Sequence, residues 1–262
     1  MDDSRFLEVG SGPLARRIGW RRIDGDGPDL VWLGGLRSDM ASTKANHLAA
    51  WALARGRAMT RFDYSGHGIS GGRFADGTIS RWLEETLAVI ATSVRAAPIL
   101  VGSSMGGWLA VLAARRLSGD RNAPAGLVLI APAADFTECL IWDDLGPAQR
   151  EAILTGGAWM RPSAYAEEPY PITRQLIEDG RRHLVLGETL ALGCPVHILQ
   201  GMADPDVPWR HAMALVERLA SDDVTVTLIK DGDHRLSRTQ DLEKLVEAVE
   251  AIAATEPQTK AP

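Results

Sequence analysis

A serine, an acid and a histidine stand in three separate stretches of this chain: Gly102-Ser103-Ser104-Met105-Gly106, Gly201-Met202-Ala203-Asp204-Pro205-Asp206, and Asp231-Gly232-Asp233-His234. A serine hydroxyl is a poor nucleophile at neutral pH. It needs an imidazole to take its proton and a carboxylate to hold that imidazole in the right tautomer. The pattern G-x-S-x-G holds a serine on a sharp strand-to-helix turn at the top of a parallel sheet, and the partners of such a serine follow it in the order acid, then histidine. Ser104, Asp204 and His234 keep that order. The chemistry they point to is attack of Ser104 on an acyl carbonyl, with His234 as base and Asp204 as the orienting acid.

Each residue has rivals. Gly68-Ile69-Ser70-Gly71-Gly72 also fits G-x-S-x-G, but no strand immediately precedes it and no helix follows, so Ser104 is the better nucleophile. Asp206 and Asp135 are the neighbours to beat for the acid. His67, His183, His197 and His211 lie before or within elements that do not follow the last strand, and His67 reads as a loop hydrogen-bonder. The oxyanion of the transition state needs backbone donors. Met105 N–H, at the positive end of its helix, is one. The turn Gly34-Gly35-Leu36 supplies the second, assigned to Leu36 with Gly35 as the alternative.

The elements that must position these residues alternate strand and helix. Residues 5–23 suggest a short antiparallel hairpin that precedes the main sheet, closed by the turn 24–28. A buried strand at 29–33, a helix from about 42 to 55, a strand at 57–64 and a glycine-rich segment at 66–72 follow. Helix 79–95, strand 98–102, helix 105–117 and strand 126–131 continue the rhythm of a doubly wound sheet. After Pro132 about sixty residues show no convincing strand, with helical stretches near 147–155 and 173–186. A structureless loop of that length is improbable in a compact domain, so residues 133–190 are expected to form a helical cap inserted in a single domain spanning 1–262. Strand 195–200, helix 208–220, strand 224–229 and helix 239–254 complete it, and the tail from Thr255 is polar. Within the cap and the elbow helix, Trp108, Trp142, Trp159 and Met160 are the candidates for contacting substrate. For these, as for Ile141 and Leu145, the competing role is the cap's own core.

Composition sets the bounds. The chain has 262 residues, of which 45% are apolar, and a net charge of −6 from 34 acidic and 28 basic residues. That suits one large α/β domain and argues against nucleic acid as a partner. No apolar run is long enough for a membrane span. Cys139 and Cys194 lack metal-like spacing and read as reduced thiols. The start, Met-Asp-Asp-Ser-Arg-Phe, is acidic and lacks the features of a secretion or mitochondrial signal, which leads to the expectation of a cytoplasmic protein.

Four segments, Phe62–Gly68, Val101–Leu109, Gly201–Trp209 and Gly232–Leu236, together resemble the α/β-hydrolase superfamily. Among its members they are similar to the branch that holds palmitoyl-protein thioesterases and acyl-glucuronide esterases. The segment Trp159–Tyr165 is similar to that branch as well. The resemblance implies the α/β-hydrolase fold, a mostly parallel twisted sheet with helices on both faces. It also implies a cofactor-free serine hydrolase, with no metal, acting on a small-molecule or acyl-protein ester or thioester, and it maps its roles onto Ser104, Asp204 and His234. A hydrolase-shaped binding protein with an inactive serine, or attack on an amide or carbon–carbon bond, are the competing functions.

Overall fold

Two apolar cores form because side chains along a strand alternate between the two faces of a sheet. A computed structural model describes residues 4–163, 167–220 and 223–254. In chain order it contains β1 (Arg5–Val9), β2 (Arg16–Ile23), β3 (Asp26–Leu33), α1 (Thr43–Ala54), β4 (Arg57–Phe62), α2 (Ile79–Ser93), β5 (Ile99–Ser103), α3 (Met105–Arg116) and β6 (Gly126–Ile130). There follow α4 (Pro147–Gly156), β7 (Ala158–Arg161), β8 (Tyr170–Thr173), α5 (Arg174–Gly180), β9 (Val196–Gly201), α6 (Trp209–Val216), β10 (Val224–Ile229) and α7 (Thr239–Ala254). Along β3, Val31 and Leu33 join the core that also contains residues of α2, α3 and α6, while Leu30 and Trp32 join the core built with α1 and α7. Leu127 and Leu129 divide from Val128 and Ile130 in β6 in the same way. Central strands apolar on both faces are what a parallel sheet covered by helices requires.

The sheet has eight strands in the order β1-β2-β4-β3-β5-β6-β9-β10. From β4 to β10 all neighbours are parallel, whereas β1–β2 and β2–β4 are antiparallel. The N-terminal hairpin is therefore not a separate piece preceding the sheet. Its second strand pairs with β4, Trp20 opposite Phe62, and makes it the sheet's edge. The expected turn at 24–28 is likewise shorter: β3 starts at Asp26, with an irregularity between Asp26 and Leu30 where it meets β4.

Helix α3 explains its own position. Every residue from Met105 to Ala114 is buried, and a helix that is apolar all round belongs in the interior. Thr78 caps α2 by accepting from Arg81 N at 3.2 Å. Within the described residues no helix is long and apolar enough to cross a membrane. Cys139 and Cys194 are free thiols, and burial pushes the Cys194 thiol up to about 12.

The insertion between β6 and β9 departs from the expected all-helical cap. It holds a π-helical turn at Thr137–Trp142, then α4, the antiparallel pair β7–β8, α5 and a 3-10 turn at Arg181–His183. The two strands are four residues each and β8 contains Pro171, a residue that argues against a strand unless the strand has an open edge; in a two-stranded sheet both do. Asp135 and Asp179 tie this segment down. Asp135 accepts from Val185 N at 2.8 Å and Leu186 N at 2.9 Å. Asp179 accepts from Ser80 N at 2.7 Å and Ser80 Oγ at 2.8 Å. Ala164 and Tyr165 of the segment resembling the thioesterase branch, and the tail from Thr255, lie outside the described residues.

Candidate active site

Ser104 joins β5 to α3 with φ 56° and ψ −119°, a backbone conformation that costs a non-glycine residue on the order of 1–3 kcal/mol. Its surroundings hold it there. Ser104 N donates to Ile130 O at 2.8 Å and Ala133 N donates to Ser104 O at 3.1 Å. The flanking glycines are demanded by close approach: a Cβ on Gly102 would lie 2.3 Å from Gly106 O, and one on Gly106 would lie 2.1 Å from Leu33 O. The turn thus packs directly on the ends of two strands, and the serine is lifted above the sheet.

The turns after β9 and β10 are fastened to each other. Ala203 N donates to Gly232 O at 2.9 Å, and a Cβ on Gly201 would lie 2.3 Å from that same oxygen. This contact brings Asp204 and His234 together. Asp204, its side chain fully enclosed, accepts at Oδ1 from Asp206 N at 2.8 Å and Val207 N at 2.9 Å, and its Oδ2 lies 2.8 Å from His234 Nδ1. His234 Nε2 lies 3.2 Å from Ser104 Oγ. A carboxylate can only accept, so Nδ1 carries the proton and the Nε2 lone pair faces the serine hydroxyl. The arrangement can take a proton from Ser104 Oγ and hold the resulting imidazolium beside a carboxylate.

The rivals have other partners. Asp206 contributes its backbone N–H to Asp204, and Asp135 is occupied by the 185–186 turn. Ser70 Oγ donates to Asp63 O at 2.6 Å and accepts from Gly19 N at 2.8 Å. His211 Nε2 lies 2.7 Å from Ala134 O, and His197 Nε2 lies 2.9 Å from Thr227 Oγ1. Asp204, Asp206 and His234 offer ligand atoms within 4.8 Å of one another, but two of the three are already bonded to each other. Leu36 and Met105 both line the space beside Ser104. Neither donates its backbone N–H to any acceptor among the described residues.

A cavity of about 480 Å³ opens over Ser104 and His234, within the size range of small-molecule sites. Its lining mixes the apolar Phe136, Leu140, Ile141, Pro162 and Tyr170 with the cations Arg37, Lys44, Arg161 and Arg235, and Asp206 is its one carboxylate among the described residues. Burial and the neighbouring Arg235 lower the Lys44 amine to about 8. None of the four residues expected to contact substrate lines this cavity. Trp108 is wholly buried, with Nε1 donating to His183 O at 3.2 Å and its ring edge-on to Phe136. Trp142 lies under the guanidinium groups of Arg150 and Arg181. Trp159 is half-buried against the core, and Met160 is 50% exposed. The reason is the hairpin: side chains alternate along β7, so Trp159 turns to the core and Met160 to solvent, while Arg161 and Tyr170, paired next to the connection between the two strands, line the cavity. The cations Arg37 and Arg235 had a readable signal, since each sits within one residue of a predicted site group.

An eight-stranded sheet with a serine elbow after β5, an acid after β9 and a histidine after β10 defines an α/β hydrolase. The chain belongs to the alpha/beta hydrolase family, which it matches over residues 25–248, and it is a hydrolase. The mitochondrial palmitoyl-protein thioesterase ABHD10 of Homo sapiens is 33% identical over 241 residues, covering 92% of this chain and 78% of that protein. The structure of mouse ABHD10 superposes with a TM-score of 0.83 at 30% identity, covering 95% of this chain and 98% of that one. A crystal structure of a provisionally assigned hydrolase from Agrobacterium vitis S4 superposes with a TM-score of 0.92 at 49% identity, covering 95% and 98%. The mitochondrial relatives lend no support to the cytoplasmic expectation.

Proposed function

We propose that this hydrolase cleaves carboxylic acyl esters or thioesters through an acyl-enzyme on Ser104. The observation that carries the reading is His234, whose two ring nitrogens lie 3.2 Å from Ser104 Oγ and 2.8 Å from Asp204 Oδ2. In this mechanism His234 takes the Ser104 proton as Oγ attacks the acyl carbon. The oxyanion is held by the N–H groups of Met105 and Leu36, and the leaving group departs with the proton from His234. Water activated by the same histidine then releases the acid and restores Ser104.

Residues 133–190 act as the cap over this site. The apolar side chains of Phe136, Leu140 and Ile141 suit the acyl chain, and the cations Arg37, Lys44, Arg161 and Arg235 suit an anionic leaving group. Similarity to palmitoyl-protein thioesterases supports an acyl substrate. Reaction with a fluorophosphonate tests the nucleophile. The protein should be labelled at Ser104 and nowhere else, and p-nitrophenyl esters and acyl thioesters of graded chain length should be turned over. A protein that stays unlabelled and inert on all of them would be a binding protein with an unactivated serine.

A further inference from the structure

The loop between β4 and α2 takes no part in the chemistry above, yet its buried polar side chains converge on the turn that carries Leu36. His67 Nε2 lies 3.0 Å from Arg37 N, and Asp63 Oδ1 lies 2.6 Å from Met40 N. A backbone N–H can only donate, so His67 is neutral with its proton on Nδ1, which faces Ser65 O at 3.1 Å. Burial and the nearby Arg37 favour that neutral form. The ring is held edge-on by Tyr64, Phe74 and Trp82, with centroids 5.8, 5.4 and 5.5 Å away.

The loop behind His67 is itself braced. Asp63 Oδ2 accepts from Ile69 N at 2.9 Å. Glu85, fully buried, accepts from Ser65 N at 2.9 Å and from Arg16 Nε at 2.6 Å. Gly68 is required because a Cβ there would lie 2.0 Å from Asp63 Oδ2. On the other side, Arg37 holds φ 60°, a strained value for a side-chain-bearing residue. Such a conformation persists only where neighbours over-determine it.

We propose that His67, backed by Asp63, is a positioning residue that fixes the peptide after Leu36 and so aims the Leu36 N–H at the oxyanion. This rests on the reading of Ser104 and Leu36 given above. An oxyanion donor works only when it is already in place as charge develops, and the two bonds at Arg37 N and Met40 N pin the turn just after the donor. The second G-x-S-x-G match belongs to this brace, since Ser70 ties the loop to β2 through Gly19 N.

Two substitutions separate this role from packing. His67→Asn keeps a donor near the Nδ1 position for Ser65 O but has nothing to accept from Arg37 N; His67→Gln keeps an acceptor near the Nε2 position. The expected result is a loss in kcat of about 10- to 100-fold for His67→Asn, below the full cost of a deleted donor, with KM little changed. The Ki of a trifluoromethyl ketone, whose adduct carries the oxyanion, should rise in step, and His67→Gln should recover most of both. Equal kcat and Ki in the folded Asn variant and wild type, or a Gln variant as impaired as the Asn one, would overturn the proposal. If His67→Asn does not fold, His67→Gln decides alone: near wild-type kcat and Ki support the role, and a large loss at unchanged melting temperature sinks it. Activity that survives Ser104→Ala would instead defeat the reading of the site on which this one stands.

Discussion

Residues 102–106 and 68–72 both spell G-x-S-x-G. In the first, Ser104 sits between a strand and a helix at φ 56°, and its Oγ faces the Nε2 of His234. In the second, Ser70 lies in a loop and its Oγ bonds two backbone groups, Asp63 O and Gly19 N. The first serine is held by its neighbours in a strained conformation with its hydroxyl facing an imidazole; the second has its hydroxyl used up within the fold. The pattern specifies small residues around a serine, and what lies on either side of it decides whether that serine is a reagent or a fastener.

Single substitutions can break this contrast. The largest effect expected is Ser104→Ala, which should lower kcat by about 10⁶-fold while leaving the melting temperature unchanged or higher; steady-state kinetics and calorimetry on one preparation read both. Next, Asp204→Asn should cost about 10⁴-fold in kcat by disturbing the histidine tautomer. Asp206→Asn should leave turnover close to wild type, and a severe loss only at 206 would show the acid to be misassigned. Ser70→Ala should do the reverse of Ser104→Ala. It strands Gly19 N–H at a cost of about 1–3 kcal/mol, seen as a lower denaturation midpoint, with kcat reduced far less than in Ser104→Ala.

The smallest effect concerns the cations that line the cavity beside the elbow. Lys44 is held near 8, below its ordinary value, so its charge is present below that pH and is lost as pH rises through it. For an anionic ester, kcat/KM relative to that of a neutral ester of the same acyl chain should therefore fall several-fold across pH 8, an effect of the size of one partly screened charge. The ratio cancels any titration common to both substrates. Lys44→Met should flatten it, and a flat ratio in the unaltered protein would remove Lys44 from substrate binding.

Much of this was readable along the chain because it depends on local order. The apolar runs at 29–33 and 98–102 announce β3 and β5, and Asp204 and His234 announce themselves by their places just past strand ends. The insertion was harder. Its strands of four residues, one with Pro171, carry no periodicity long enough to read, so Trp159 and Met160 could not be placed on a face. His67 was legible as a loop hydrogen-bonder but not as a partner of Arg37, thirty residues away.

By itself the sequence determined the order of strands and helices outside the insertion, the family and the serine, acid and histidine that meet, because each of these follows from composition within a few residues and from chain order. Tertiary structure alone decided which of two identical patterns faces a base, which side chains line the cavity and what holds the Leu36 turn. Those outcomes depend on contacts such as Gly201 with Gly232 and Arg37 with His67. Such contacts join segments remote in sequence, and only the packed sheet makes them neighbours.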